Sequence, residues 1–353
     1  MAQIIDQIVK ISIQDAISSV TTVDVNTVAL VGKAEGKDAA EVSSLAGAKT
    51  AFGEDSELYQ MMKAFFAQDS QPSRVVGIPA GSDALAAVQA ASENFDFYHV
   101  VVATDDAQAL TLARIKEWHE SAADVKKMIH IQVPNVDAMA GTDSRADAGY
   151  DRVAVYVHKE KTTVGEKTVY EFLPVGIVAL RCASDSARGT FAHKKCKGVT
   201  PDSYSVEEYN KAIDSGLNIY VKVSGEARLF MGTTSSNEKF IDQIIKDDWI
   251  RFNVQSRIYR LLGEGNDGNG VNYDDAGIGA VAASVLNVLT VAQDTDHQYV
   301  MADSASVDYK PYSYLVENYA DDVRKRNLPL IKGRYARMNS IHTVVQVDLQ
   351  VTL

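Results

Sequence analysis

Between Thr27 and Val133 short apolar runs alternate with longer amphipathic stretches, and this alternation restricts the fold more than any other feature of the chain. Strands joined by crossover helices read this way, so the segment predicts βαβ units and a largely parallel sheet with right-handed crossovers. Strands are expected at Thr27–Gly32, Arg74–Pro79, Phe97–Ala103 and Met128–Val133. Helices are expected between them at Asp55–Gln68, Asp83–Glu93 and Asp106–Ser121. The first two open beside Asp55 or Ser56 and Ser82 or Asp83, whose side chains can accept from an orphan N–H of the first turn.

After Pro134 the small, polar stretch NVDAMAGTDSRADAG reads as a surface loop and marks a boundary. Arg152–Lys159 and Lys167–Phe172 are strand-like runs joined by KTTVG, which predicts a β-hairpin. An apolar helix is expected over Pro174–Ala183, and Gly198-Val199-Thr200-Pro201 forces a turn, because proline removes a donor and restricts Thr200. The second half mixes strands at Leu217–Val223 and Ala227–Gly232 with long helices at Glu238–Leu262 and Asp274–Ala292. Ile241, Ile244, Ile245, Trp249, Phe252, Ile258 and Leu261 recur at helical spacing and form one broad core-facing stripe.

Both ends carry a period of two. Ile341, Thr343, Val345, Val347, Leu349, Val351 and Leu353 alternate with His342, Val344, Gln346, Asp348, Gln350 and Thr352, and near the start Val9, Ile11 and Ile13 alternate with Lys10, Ser12 and Gln14. These are β-prone arms. Ordering a terminal segment costs about 1–2 kcal/mol per residue, which pairing in a sheet can offset. An arm can pair within its own subunit or add a strand to a neighbour, and periodicity does not separate the two.

Composition bounds the function. The chain has 353 residues, 46% of them apolar, enough for one large core or two modest ones. Its 47 acids against 35 bases give a formal charge of −12, which disfavours a phosphate-tracking surface and so a general nucleic-acid role. Cys182 and Cys196 are the only cysteines, a usage that suits a reducing compartment. MAQIIDQIVKISIQD lacks the basic and apolar regions of a signal peptide, and no apolar run approaches the length of a membrane span.

Motifs for chemistry fail on context. GEGNDG at Gly263–Gly268 spells a dinucleotide fingerprint but follows a helix where a strand is required. Asn266–Asp275 lacks the acidic spacing of a calcium loop, and Gly32–Asp38 lacks the Ser or Thr of a P-loop. His193, Cys196 and Cys182 fall short of a four-ligand zinc set, and His99 sits in an apolar strand as a core residue. No catalytic, cofactor-binding or metal-ligating residue is assigned. Arg324, Lys325, Arg326, Lys332, Arg334 and Arg337 outnumber Asp321 and Asp322 locally, a basic patch suited to docking an acidic protein or to complementing a helix end.

Three segments carry a resemblance. FAHKKCKGVTPDSYS at Phe191–Ser205, FIDQIIKDDWIRFNVQSRIYRLL at Phe240–Leu262 and NYDDAGIGAV at Asn272–Val281, completed by the final alternating strand, resemble the contractile tail sheath proteins of myophages, tailocins and related injection systems. The fold expected is α/β (α+β): a parallel-type α/β N-terminal body plus a mixed C-terminal domain, with extended β arms at both termini. Its divisions fall at 1–26 (arm and linker), 27–135 (α/β domain), 136–190 (surface loop, hairpin and connecting helix), 191–340 (sheath-core-like domain) and 341–353 (arm).

The resemblance implies a structural subunit without cofactor or enzymatic activity. Such a subunit polymerises as a helical homo-oligomer around a tail tube by strand exchange, and contracts to drive the tube through a target envelope. Val9, Ile11, Ile13, Val345, Val347, Leu349 and Val351 would be the strand anchors, and Arg324, Lys325 and Arg326 the tube-facing charges. The hairpin would lie on the outer face, and linkers Ser18–Asn26 and Asn327–Ser340 would absorb changes of direction. Further implied partners are baseplate and tail terminator proteins, with no direct nucleic acid and no membrane insertion. The location implied is a virion or tailocin tail assembled in the bacterial host cytoplasm. Another tail or baseplate component, or an α/β enzyme or ligand-binding protein using the crevice at the strand ends, are the competing readings.

Overall fold

The computed structural model describes residues 24–81, 83–102, 112–139, 150–158, 161–164, 167–236, 239–264 and 270–342. Its strands are β1 (Val28–Gly32), β2 (Ala40–Val42), β3 (Val75–Pro79), β4 (His99–Val102), β5 (Met128–Val133), β6 (Val153–Val157), β7 (Lys161–Val164), β8 (Lys167–Tyr170), β9 (Leu217–Val223), β10 (Glu226–Phe230), β11 (Ser306–Asp308) and β12 (Lys332–Arg334). Its helices are α1 (Leu45–Phe52), α2 (Glu57–Phe66), α3 (Ala84–Ala91), α4 (Leu112–Val125), α5 (Leu173–Cys182), α6 (Val206–Asp214), α7 (Ile241–Glu264), α8 (Asp275–Val291), α9 (Tyr312–Asn318) and α10 (Ala320–Arg324).

Eight strands form one sheet in the order β10-β9-β6-β5-β4-β1-β3-β2. The inner pairings are parallel, and only the edge strands β2 and β10 run antiparallel to their neighbours. Every residue of β1, β4, β5 and β6 is buried, as expected of parallel strands covered on both faces. Val31, Ile78, Ile131 and Val155 face a layer made by α3, α4 and α6, with Val88, Ile115, Trp118 and Ala212 packed on them. Leu30, Tyr98, Val101 and Tyr156 face the other layer, where Phe52 of α1, Phe65 of α2, Ile177 of α5 and Phe252 of α7 meet. The mixed α/β class with a mainly parallel sheet is therefore as the alternating pattern predicts.

Helix starts follow local chemistry. Ser56 accepts from the Tyr59 N–H at 3.1 Å, Asp83 from Leu85 and Ala86 at 3.1 and 3.2 Å, and Asp274 from Gly277 at 2.8 Å. Helix α6 opens on a full capping box between Ser205 and Glu208. That helix, β2 and α1 are elements for which the sequence reading made no provision. No described helix is long and apolar enough to cross a membrane.

One expected pairing is wrong. Arg152–Lys159 does not form a hairpin with Lys167–Phe172: Val153–Val157 lies inside the main sheet between β5 and β9, and the hairpin is built from β7 and β8. An all-apolar VAVYV run gains more by burial on both faces than on an exposed ribbon. The one sheet also crosses the divisions drawn at 135/136 and 190/191.

Candidate functional site

Helix α7 carries two kinds of residue. Ile241, Ile244, Ile245, Phe252 and Ile258 are buried as the stripe predicts, with Trp249 and Leu261 half-buried. Among them lie buried polar groups, Asp242, Lys246, Asp248, Arg251 and Gln255. Asp248 takes both terminal nitrogens of Arg152, at 2.6 and 2.7 Å, and the Tyr98 hydroxyl at 2.7 Å. Burial raises the Tyr98 hydroxyl well above its ordinary pKa, with the Asp248 charge adding to it. This network fixes α7 on the sheet.

The neighbouring residues hold the chain that leads to the C-terminus. Asp247 accepts from the Tyr335 hydroxyl and from Arg337 Nε, both at 2.8 Å, and from a second guanidinium nitrogen of Arg337. Lys246, paired with Asp242 at 2.6 Å, donates to the Met338 carbonyl at 2.7 Å. Gln243 donates to Asn339 at 3.1 Å, and the rings of Phe240 and His342 meet edge to face at 4.3 Å. Residues 336–338 also bridge to 299–301 through Met301 N–H to Ala336 O and Met338 N–H to Tyr299 O, both 2.8 Å. The expected linker Asn327–Ser340 is thus tied down along its second half, because acids and amides on α7 reach it.

Residues 301–342, the outer lobe, are sparsely buried, although Ala305, Val307, Leu328, Ile331 and Tyr335 pack on the core. Leu315 is its one fully buried side chain, while Met301, Tyr309, Tyr312, Tyr314, Val316, Leu330, Met338 and Ile341 are exposed, Ile341 to 82%. Lys310 lies over the Tyr314 ring at 5.3 Å, and Tyr273 and Tyr312 meet at 6.0 Å. Arg324, Lys325 and Arg326 follow one another, exposed, at the end of α10. Arg324 pairs with Asp321, Arg334 with Asp308 at 3.2 Å and Arg337 with Asp247, whereas Lys325, Arg326 and Lys332 have no ion-pair partner among the described residues. The basic patch is therefore about half neutralised within the chain.

Val9, Ile11, Ile13, Val345, Val347, Leu349 and Val351 lie outside the described residues, as does most of Gly263–Gly268. His99 is a core residue: its Nδ1 lies 2.9 Å from His130 Nε2, and His130 Nδ1 lies 3.0 Å from the Tyr156 hydroxyl. Cys182 and Cys196 are free and buried, and burial pushes the Cys196 thiol up to about 12. Among the described residues no group of His, Cys, Asp or Glu is placed to hold a metal ion. The sequence reading missed the Asp247–Asp248 pair and the exposed tyrosines; two adjacent acids inside a core helix were the available signal.

No protein-family profile and no curated protein matches the chain. Solved structures do. The helical sheath of the anti-feeding prophage in its contracted state is similar over 97% of this chain and 98% of that one, at 12% identity and a TM-score of 0.65. A chain of the contracted anti-feeding prophage baseplate matches over 98% and 97%, at 14% identity and a TM-score of 0.65. The sheath tail protein of Desulfitobacterium hafniense matches over 84% and 93%, at 8% identity and a TM-score of 0.55. Across almost its whole length, this chain has the fold of a contractile tail sheath protein.

Proposed function

We propose that this chain is the repeating, non-enzymatic subunit of a contractile tail sheath, in a phage tail or a tailocin-like particle. The observation that carries the reading is the nearly end-to-end likeness to a helical sheath, with neither chain leaving an unmatched domain. The sparsely buried lobe supports it, because a surface rich in exposed tyrosine and methionine suits contact with other molecules.

On this reading the arms at 8–14 and 341–353 exchange strands between neighbours. Main-chain hydrogen bonds would link the subunits, and Val9, Ile11, Ile13, Val345, Val347, Leu349 and Val351 would supply anchors worth about 0.8 kcal/mol per buried CH₂. Arg324, Lys325 and Arg326 would face the tail tube, with baseplate and terminator proteins at the two ends. Contraction would turn each body as a rigid unit, to which the eight-stranded sheet and the Arg152–Asp248 bond to α7 are suited.

Electron microscopy of the purified chain tests this: striated cylinders are expected, and deletion of residues 343–353 should abolish them while leaving the fold intact. A monomer with measurable turnover would overturn the reading. Charge reversal at Arg324, Lys325 and Arg326 should weaken tube-templated assembly more than self-assembly. A second reading, a baseplate component, rests on the equal likeness to the baseplate chain; co-purification in short rings without cylinders would favour it.

A further inference from the structure

The contacts between α7 and residues 335–342 share one direction. Asp247 holds Tyr335 and Arg337, Lys246 holds Met338, Gln243 holds Asn339, and Phe240 meets His342. As the chain number rises on the outgoing segment it falls on the helix side. The segment therefore runs antiparallel to α7 and ends beside the helix N-terminus. Gln243 lies three residues before Lys246 and four before Asp247, so the three share one side of the first turns of α7, and Phe240 lies just before the helix three residues ahead of Gln243.

We infer that this side of the helix is a rail that sets the point and heading at which the C-terminal segment leaves the body, so that any redirection of the last residues pivots beyond His342. The inference deepens the sheath reading, in which that segment is the exchanged arm, but the rail itself needs no assembly to exist.

Three features make the rail specific. Lys246 is 1% exposed, and its ammonium is satisfied by Asp242 and by a main-chain carbonyl of the outgoing segment. Removing that carbonyl would leave a buried cation short of a partner, so the segment is costly to lift. Asp247 receives a two-nitrogen grip from Arg337, which fixes orientation as well as distance. The opposite side of residues 336–338 is bonded to 299–301, so the segment is held from two sides. Beyond this, His342 meets the body through Phe240 and through its carbonyl, 3.3 Å from His193 Nε2. A linker meant to swing freely would not carry this set of contacts.

The consequence for an assembly is geometric. If each body emits its C-terminal segment from one fixed point, the position of the neighbour that receives it is encoded in α7, and only the few residues after His342 are left to absorb a change of subunit angle.

Hydrogen–deuterium exchange on the unassembled full-length chain tests the rail without invoking a sheath. Wild type should protect the amides of Met301 and Met338, the two donors of the bridge, and the side of α7 beneath them. Asp247→Asn and Arg337→Gln should each speed exchange across 335–342 by at least tenfold, with β5 and β6 unchanged. Exchange at 335–342 that is as fast in wild type as in an unfolded peptide, or unaltered in both variants, overturns the inference. Arg337→Gln sits on the outgoing segment, so a misfolded Asp247→Asn still leaves a readable result. The sheath reading fails separately, if wild type forms no polymer while the rail remains protected.

Discussion

Arg152 and Asp248 form a bidentate ion pair, at 2.6 and 2.7 Å, in which neither side chain is appreciably exposed. They lie 96 positions apart in the chain, and the bond joins the residue before β6 to the N-terminal third of α7. Removing one partner leaves the other charge buried and uncompensated. Asp248→Ala is therefore expected to cost about 3–5 kcal/mol. Tyr98→Phe, which deletes one donor to that carboxylate, should cost about 1.5–3 kcal/mol. The pair Arg152→Met with Asp248→Leu should recover most of the loss. Urea denaturation of the three variants checks this; equal losses in the single and double variants would contradict it.

The histidine pair in the core predicts how stability responds to acid. Burial pushes His99 down to about 3, against a pull from the Val25 backbone, and pushes His130 well below its usual value, with His99 beside it contributing. Both rings are neutral in the folded chain and titrate near 6.5 when unfolded. The unfolded state therefore binds more protons below about pH 6.5. Stability is full above that point and declines by about 1.4 kcal/mol per pH unit for His99 alone, until the folded ring titrates near 3.

His158 acts in the opposite sense. Burial lowers its pKa, but Asp202 and Glu171, each 2.7 Å from a ring nitrogen, outweigh burial and raise it. Its contribution is present in acid and fades as pH rises through the folded value. His99→Asn should flatten the acid limb of a stability–pH curve by about one proton, whereas His158→Gln should leave that limb unchanged and remove the loss of stability that sets in above about pH 6.5. Urea midpoints between about pH 4 and 9 give the slopes on both sides of about 6.5; parallel slopes for all three proteins across that range would refute the assignment.

Gly277 explains one stretch of the sequence resemblance in physical terms. It lies in the first turn of α8, and a β-carbon there would stand 1.9 Å from the Asn272 carbonyl oxygen and 2.9 Å from Val271 Cγ1. The contact is with backbone, so a side-chain rotation cannot relieve it. Gly277→Ala is expected to cost about 1–3 kcal/mol through overpacking, despite the better helix propensity of alanine. Thermal melting is the measurement, and a neutral or raised midpoint would show that the loop yields.

The body was readable where burial is two-sided. Met128–Val133 has the bounds the sequence predicts, and β1, β3 and β4 lie within theirs, because an apolar run flanked by amphipathic stretches has few other uses. Val153–Val157 was recognised as a strand but given the wrong partner, since alternation reports a strand's faces and says nothing of its neighbour in the sheet. Helix α6 was missed although Ser205 and Glu208 spell a capping box, a short signal masked by the turn residues before it. The contacts of Asp247 and Asp248 were illegible for a different reason. Their partners lie 88 to 150 residues away, and side-chain pairing across such distances leaves no periodic trace in one sequence.

The exposed tyrosines of the lobe give the last prediction. Tyr312 and Tyr314 are each 38% exposed on α9, beside Leu315, the buried side chain of this helix. Tyrosine offers a large, rigid contact area at little cost in side-chain freedom, which is why it recurs at the centres of interfaces. In the unassembled chain these rings contribute little to stability, so Tyr312→Ser with Tyr314→Ser should leave the melting temperature within a few degrees of wild type. If the lobe packs on a neighbour, their loss removes anchors worth about 2 kcal/mol or more, equivalent to a rise of at least about tenfold in the concentration needed for polymers to form. Sedimentation across a concentration series reads that threshold. An unchanged threshold would mean that α9 stays in solvent, and Leu315→Ala, which should instead lower the melting temperature, serves as the control for a purely structural effect.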